Sequence, residues 1–464
     1  MKRFISLIHR LFAHELSGFL ILGLLLRIVL MPYFIWPYDI GAYQSALAYL
    51  MSGNDPYALH ASIYPPFIHF ITFPLFSVAY RLGATFDFRS MSDMLTGIRP
   101  EGIIASSEIS PLFLVLWKIP LLCFDLLTGV LIYYFVKEIA PDSKAPKRCF
   151  LIWLFNPFVL AISYLNGSYD IVVGFFILLG AYFVFKSRYF SAGLSFGLGT
   201  LTKTSPIFIA IPLSVILLFR EFGSSFSVHS VQTNSRLFLR FAAGCLAPLV
   251  LFAPLFIEYT GLTYSGISQE IEVTGGLNQW FFAADSKVSY LVNQYKGGIQ
   301  TLFALYPLIC LALALVFVKS FEFSRERILF ATVFFASLIY LFLPITVQPQ
   351  YLLWIIPLLI VVTSKRRSFI WPVLLLSIAG LFFYFSLQGP EIFLYPLAMF
   401  TPLYNPQILT NEIAAYQILP GVISPYLTQD LCILFGAIGF VGLVITILLL
   451  IKNLWVGGVL ANVK

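Results

Sequence analysis

The feature that most constrains this sequence is a series of long, uninterrupted apolar runs. The first, LSGFLILGLLLRIVLMPYFI, occupies residues 16–35 and contains a single charged residue, Arg27. About 20 apolar residues let an α-helix cross a bilayer, whereas a membrane barrel would show alternating segments of ~10 residues. Over the whole chain 59% of residues are apolar and 11% are charged, against roughly 45–50% and 25% in soluble domains. The sequence therefore predicts an all-α polytopic membrane protein.

Taken in order, the apolar runs predict about twelve transmembrane helices in a single domain, residues 1–464. These are expected near 16–35, 111–136, 149–167, 169–186, 189–204, 205–220, 237–257, 299–318, 328–346, 350–364, 369–387 and 430–451. Another apolar run, residues 63–83, is interrupted by Pro65, Pro66 and Pro74. We expect it to lie in the membrane interface, together with a second interfacial helix near residues 40–52.

The basic residues predict the orientation. Most of the 28 Lys and Arg residues fall in short loops on the side that holds both chain ends. Because Lys and Arg concentrate in cytoplasmic loops, both termini are expected in the cytoplasm, in either a prokaryotic plasma membrane or the endoplasmic reticulum. The net charge of +7 then reflects orientation and requires no nucleic-acid partner. Three long loops, 36–110, 258–298 and 388–429, fall on the outer face, where we expect function to lie.

The first outer loop begins with WPYDIGAY, which places Asp39 at the outer end of the first predicted span. A carboxylate at such a low-dielectric boundary would suit a general base. Asp39 would also suit the cap of a helix that starts at the next residue, and both interpretations stay open. Tyr43, His60 and Tyr64 of the same loop are candidates for lining a substrate cavity.

The segment GTLTKTSP places Lys203 at the outer end of a short predicted helix, residues 189–204. That helix would be ~24 Å long, less than the ~30 Å apolar core, so Lys203 is expected in a recess. Ser205 and Pro206 begin the next helix, and a helix N-terminus favours an anion. Lys203 and Ser205 are therefore candidate phosphate ligands. The alternative is a lysine that snorkels to the membrane surface.

Three further charged residues are candidates for a role in the site or in an ion pair. Asp170, in NGSYD, opens the fourth predicted span and is either a helix cap or a residue facing the same side as Asp39. Arg27 and Asp125 both fall inside predicted spans. Because charges inside a membrane tend to pair, we predict a structural ion pair between Arg27 and Asp125.

The segment VQPQYLLWIIP sets amide and aromatic side chains at the expected outer mouth of a span. These side chains are Gln348, Gln350 and Tyr351. Amides suit sugar hydroxyl groups and ring faces suit sugar C–H surfaces. The alternative is membership of the aromatic belt at the membrane interface.

Five segments in order resemble the GT-C superfamily of integral-membrane glycosyltransferases, most closely the polyprenol-phosphate-mannose-dependent mannosyltransferases. They are DIGAYQSALAYLMSGNDPY with YPPFIHFITFPLF, KIPLLCFDLLTG, WLFNPFVLAISYLNGSYDIVVGFFILLGAYFVF, GLGTLTKTSPIFIAIP and QPQYLLWIIPLL. The resemblance covers roughly residues 16–220 and 345–360. It implies that Asp39 removes the proton of the acceptor, that Lys203 contacts the donor phosphate and that Asp170 lines the cavity.

The resemblance also implies an activity, that of a hexosyltransferase. It would move a sugar, mannose by resemblance, from a polyprenyl- or dolichyl-phosphate donor to a hydroxyl of a glycan or glycolipid acceptor, with inversion and among membrane lipids. One departure concerns metal: several relatives carry Asp-x-Asp in the first outer loop, whereas this chain has YDIGAY, with Gly41 at the second position. One carboxylate is a poor seat for a divalent cation, so we expect no cofactor and no metal site.

Two other classes share some of these features. A transporter or a flippase for lipid-linked sugars would have similar spans and buried charges, but it would favour paired repeats that this sequence lacks. A scaffold protein that binds a partner through its outer loops would explain the aromatic residues but not a recessed lysine. If the protein is an enzyme, in contrast, Asp39, Asp170 and Lys203 are expected to surround one outward-facing cavity.

Overall fold

The computed structural model describes the part of the chain that forms the core of a helical bundle. The described residues are 17–32, 47, 50, 51, 53, 65–82, 111–141, 143–219, 228–255, 308–318, 325–342, 349–388 and 425–459. Within these ranges every regular element is a helix and none is a strand, which confirms the predicted all-α class.

The described helices differ widely in length, and some are α-helical while others are π or 3-10. In chain order they are α1 (Ser17–Leu30), α2 (Pro66–Arg81), α3 (Pro111–Ile139), α4 (Ala145–Leu154), α5 (Pro157–Leu160), a π-helix (Ala161–Asn166), α6 (Asp170–Phe185), α7 (Tyr189–Thr200), α8 (Ser205–Leu218), α9 (Val228–Leu251), α10 (Leu308–Val318), α11 (Arg325–Phe342), a 3-10 helix (Pro349–Trp354), α12 (Ile356–Thr363), a 3-10 turn (Arg367–Phe369), α13 (Ile370–Gln388) and α14 (Pro425–Val459).

Among the described residues, four helical segments are long and apolar enough to cross a membrane. They are Leu112–Ile139, Ala145–Asn166, Arg367–Tyr384 and Gly436–Leu454. Shorter apolar helices include α1, α2, α6, α8 and α10. The chain is thus built from membrane-length apolar helices, while the count of about twelve spans and the interfacial position of α2 stay predictions. Of the other expected interfacial helix, only residues 47, 50 and 51 are described, and they are helical.

Two predicted spans are broken where proline interrupts the helix. The span expected at 149–167 breaks at Asn156, whose side-chain oxygen accepts bonds from the backbone N–H groups of Phe158 (3.0 Å) and Val159 (3.4 Å). The helix expected at 189–204 ends at Thr200. Proline lacks an N–H group and disfavours helical geometry in the residue before it, so Pro206 at the start of α8 requires a turn ahead of it. Lys203 lies in that turn.

Helices α7 and α9 approach each other closely enough that only glycine fits between them. A Cβ on Gly193 of α7 would overlap the carbonyl oxygen of Phe241, and a Cβ on Gly244 of α9 would overlap that of Phe190. Small residues at such crossings let helix backbones touch, which is a common way to pack helices in membranes. This contact supports α7, whose end leads into the turn that carries Lys203.

The described bundle has two ends, and short contacts show which connections share each end. At one end, Lys186 Nζ lies 3.0 Å from Glu138 Oε2, which joins the last turn of α3 to the residue after α6. Lys365 Nζ contacts Glu326 Oε1 at 2.7 Å. We call this the basic end. The opposite end, which we call the site end, holds the start of α6, the turn between α7 and α8, and the 3-10 helix at 349–354. This grouping agrees with the predicted topology of these loops.

Candidate functional site

At the site end, Asp170 lies at the centre of a cluster of hydrogen-bond donors. It is the first residue of α6, and the N-cap position belongs to Tyr169. Its Oδ1 accepts bonds from Lys203 Nζ at 3.0 Å and Trp354 Nε1 at 2.9 Å, and its Oδ2 accepts a bond from Ser168 Oγ at 2.7 Å. The side chain is only 3% exposed. Asp170 is therefore a buried anchor for other side chains and not a helix cap.

Lys203 reaches Asp170 from the turn between α7 and α8. Its side chain is 25% exposed, whereas the carboxylate that its ammonium group contacts is buried. Nζ also lies 4.2 Å from the centroid of the Tyr351 ring and 5.5 Å from that of Trp354, within the range of a cation–π contact. Held by these partners, Lys203 does not extend away to a surface, which was the alternative interpretation.

The aromatic wall beside Lys203 consists of two stacked rings, of which only Tyr351 was predicted to line the cavity, while Trp354 was placed one turn further into the span. The rings of Tyr351 and Trp354 lie 4.4 Å apart at an interplanar angle of 16°. They belong to a 3-10 helix, Pro349–Trp354, in which residues three apart eclipse each other. Tyr351 and Trp354 are three residues apart, so their side chains lie on the same side of a helix that has three residues per turn. This i, i+3 spacing is the sequence signal that would have placed Trp354 beside Tyr351.

A close backbone contact sets the position of this 3-10 helix. A Cβ on Gly174, one turn into α6 from Asp170, would overlap the carbonyl oxygen of Leu353. Glycine lacks that atom, so the 3-10 helix lies directly on α6 and Trp354 comes within hydrogen-bond distance of Asp170. The sequence places both segments at an outer mouth, but only this contact brings their side chains together.

Substituting Gly174 by alanine is expected to push the 3-10 helix off α6 and to lengthen the bond between Trp354 and Asp170. Overpacking of this kind costs about 1–3 kcal/mol. The thermal unfolding midpoint should fall and intrinsic tryptophan fluorescence should change. Gly18→Ala is the matched control, because no heavy atom lies within 4 Å of a Cβ there. An equal response of the two variants would contradict the role of the close contact.

Two more predicted residues at the site end have buried polar atoms without partners in the described part of the chain. Ser205 is 1% exposed, and its Oγ has no hydrogen-bond partner among the described residues. Gln350 is 9% exposed, and its Oε1 likewise accepts no hydrogen bond from them. Leaving a buried polar atom unsatisfied costs about 1–3 kcal/mol. Both atoms are therefore candidates for contacting a bound molecule.

The start of α2 is fastened to the turn that carries Lys203. The backbone N–H of Phe67 donates to the carbonyl oxygen of Leu201 at 3.0 Å. The Phe67 ring also packs edge-on against Phe176 of α6, with centroids 5.8 Å apart. Because α2 belongs to the predicted first outer loop, this contact brings the described part of that loop to Lys203.

Several predicted site residues fall where the structure gives no description. Asp39, Tyr43, His60, Tyr64 and Gln348 lie outside the described residues, and their roles stay predictions.

The expected ion pair between Arg27 and Asp125 is present and fully buried. Arg27 Nε lies 2.6 Å from Asp125 Oδ2, with both side chains 0% exposed. Trp153 Nε1 donates to Asp125 Oδ1 at 2.8 Å, and the Tyr164 hydroxyl donates to Oδ2 at 2.8 Å. The pair thus joins α1, α3, α4 and the π-helix. Its burial and its many partners indicate a structural role.

Sequence reasoning missed a second buried cation, Lys118 of α3. Its side chain is 0% exposed, and Nζ donates to the carbonyl oxygens of Met31 at 2.9 Å and Tyr164 at 2.8 Å. Tyr164 lies in the last turn of the π-helix, where carbonyl groups lack a partner within the helix. Lys118 therefore ties the end of α1 and the π-helix to α3, near the site end.

No family model matches this chain. It is similar to GPI mannosyltransferase 1 of Kluyveromyces lactis, with 26% identity over 223 residues, which is 48% of this chain and 44% of that protein. It is also similar to GPI mannosyltransferase 1 of Saccharomyces cerevisiae, with 33% identity over 106 residues, 23% of this chain and 26% of that protein. The aligned segment thus spans less than half the length of each relative.

These relatives and the apolar helices lead to the same class of protein. Both relatives are mannosyltransferases by name, and the described helices are of membrane length and composition. The similarity over about half of the chain confirms its resemblance to the GT-C mannosyltransferases, the family that its sequence motifs indicate.

Proposed function

We propose that this protein is a membrane glycosyltransferase that moves mannose from a polyprenyl-phosphate donor to a hydroxyl of a lipid-linked or surface glycan, with inversion at the anomeric carbon. The observation that carries the proposal is the geometry around Lys203. Its ammonium group is held by Asp170 on one side and by an aromatic wall on the other, and a quarter of the side chain remains exposed. Such a group offers a fixed positive charge to an incoming phosphate.

Asp170 supports this role by holding the lysine and not by reacting. Its two oxygens already accept bonds from Ser168, Lys203 and Trp354, so the carboxylate is engaged in holding other side chains. A carboxylate anchor limits the motion of Lys203. Preorganised charge of this kind stabilises a leaving group without reorganisation during the reaction.

A second anion contact would come from the start of α8. Ser205 opens that helix two residues after Lys203, and its buried Oγ has no partner among the described residues. A helix N-terminus carries a partial positive charge and free N–H groups, which favour phosphate. Lys203, Ser205 and the helix N-terminus together would hold the phosphate of the donor.

The chemical step then requires a base for the acceptor, and we assign that role to Asp39. The acceptor oxygen forms a bond to C1 of the sugar as the bond from C1 to the phosphate oxygen breaks on the opposite face. The hydroxyl proton passes to Asp39, and the lipid phosphate leaves with the bonding electrons. The bond between Phe67 and Leu201 supports this assignment because it fastens the described part of the first outer loop beside Lys203.

A transporter or flippase is the alternative. The buried charges do not favour it, because Arg27 and Asp125 are fully enclosed and paired with each other, and Asp125 also accepts bonds from Trp153 and Tyr164. An ion or sugar path would instead line a cavity with accessible polar groups. The acceptor class is open, and the relatives' name, GPI mannosyltransferase 1, makes a GPI precursor one acceptor to test.

Lys203→Ala is expected to raise the KM for the donor about 10- to 100-fold, since a hydrogen bond to a charged group contributes about 1.5–3 kcal/mol. The assay uses the purified full chain in liposomes with polyprenyl-phosphate mannose, glucose or arabinose and a panel of lipid acceptors, including a GPI precursor. Mannose should be transferred fastest, and Lys203→Arg should recover part of the donor affinity because the charge is kept.

The matched control is Lys186→Ala, which removes a lysine paired with Glu138 at the basic end. It should leave the donor KM unchanged. An unaltered donor KM in Lys203→Ala would contradict the phosphate role. Absence of transfer from every donor, with transport of a lipid-linked sugar across the liposome membrane, would favour the flippase.

A further inference from the structure

An open cavity of about 460 Å³ lies against α4 at the basic end of the bundle. Five residues line it, and they fall at positions i, i+3, i+4, i+7 and i+8, which is one face of a helix. They are Lys144, Lys147, Arg148, Leu151 and Ile152. The cavity is thus a groove along the first two turns of α4, basic at its start and apolar beyond.

The basic part of the groove is suited to an anion. Its three cations lie at the N-cap and in the first turn of α4, where the helix dipole is also positive, and none of the five lining residues is acidic. Arg148 Nε is buried and has no hydrogen-bond partner in the described part of the chain. Lys144 is exposed. An anionic group placed here would meet the charge of three cations that line one groove.

The apolar part of the groove makes a free anion an incomplete fit. Leu151 and Ile152 are half-buried and continue the same face toward the middle of the bundle. From Arg148 to Ile152 the helix rises ~6 Å, the length of about five methylene groups. A molecule that fills both parts therefore carries a negative head and an attached hydrocarbon chain.

We propose that this groove binds an anionic phospholipid, with its phosphate at Lys144, Lys147 and Arg148 and an acyl chain along Leu151 and Ile152. Basic pockets beside transmembrane helices recognise anionic head groups in this way. The groove is separate from the site around Lys203. It lies at the start of the 22-residue segment Ala145–Asn166, at the basic end, whereas Asp170 follows the other end of that segment, at the site end.

The test is native mass spectrometry of the detergent-solubilised full chain, titrated with phosphatidylglycerol, phosphatidylcholine or glycerol phosphate. Wild-type protein should bind phosphatidylglycerol at least tenfold more tightly than phosphatidylcholine, and glycerol phosphate should not displace it at equal concentration. The double variant Lys144→Gln, Lys147→Gln should bind phosphatidylglycerol about 30-fold more weakly, since each lysine near an anionic lipid contributes roughly fivefold.

The control is Arg366→Gln, Arg367→Gln, which removes the same charge from another exposed loop at the same end. Cys149 Sγ lies 3.5 Å from Thr363 Oγ1, which places that loop beside the start of α4. The affinity of this control variant for phosphatidylglycerol should change less than twofold. Three outcomes would overturn the proposal: equal losses in both double variants, equal binding of the two lipids, or displacement by glycerol phosphate, which would indicate a soluble-phosphate site.

Discussion

Asp39→Asn is expected to reduce sugar transfer about 100- to 10,000-fold, the usual contribution of a positioned general base. Asparagine keeps the shape of the side chain and can still donate and accept hydrogen bonds, but it cannot take the proton of the acceptor hydroxyl. Initial rates with polyprenyl-phosphate mannose and the best lipid acceptor, measured by chromatography of the labelled product, would quantify the loss. Donor binding, which we assign to Lys203 and Ser205, should be retained.

The control for this experiment is Asp55→Asn in the same loop. Asp55 precedes Pro56 in SGNDPY, a pattern typical of a turn, so its carboxylate should be dispensable for transfer. Normal turnover by Asp39→Asn would exclude the residue as the base. Loss of donor binding in parallel with turnover would indicate a misfolded first loop. Asp39→Glu, which keeps a carboxylate, would then separate misfolding of the loop from loss of the base.

Asp125→Ala is expected to destabilise the protein by about 3–5 kcal/mol, the cost of breaking a buried ion pair by removing one partner. The substitution would leave the Arg27 guanidinium fully buried without its carboxylate partner, and it would remove the side-chain acceptor of Tyr164 and one of the two acceptors of Trp153 Nε1. A lower thermal unfolding midpoint and reduced yield of the membrane-inserted protein would be the measured effects. Few single substitutions in this chain should cost as much.

A matched double variant distinguishes charge burial from packing. Arg27→Met with Asp125→Leu removes both charges and keeps similar volume, and such replacements are often neutral or stabilising. We expect it to recover most of the midpoint lost in Asp125→Ala and to retain transfer, since neither residue contacts Lys203 or Asp170. A double variant that is as unstable as Asp125→Ala would show that hydrogen bonds to Trp153 and Tyr164 contribute most of the stability.

The sequence by itself determined the class of the protein, the ends of several helices and one buried pair. Long apolar runs cross a lipid bilayer as helices, because a helix forms hydrogen bonds between its own backbone N–H and C=O groups. The start of α8 after Lys203 was evident because serine and proline favour the first turn of a helix. The pair of Arg27 and Asp125 was predictable because each charge inside a span requires a partner and few others were present.

Only the tertiary structure decided the arrangement around Lys203. Asp170 is 33 positions from Lys203 and 184 positions from Trp354, and no local pattern links such distant residues. Their meeting depends on how α6, the turn after α7 and the 3-10 helix pack, which follows from the missing Cβ at Gly174. Local sequence sets where a helix begins and ends, because those preferences act between near neighbours. Which side chains come into contact depends on how whole helices pack. That packing made Asp170 the residue that holds Lys203.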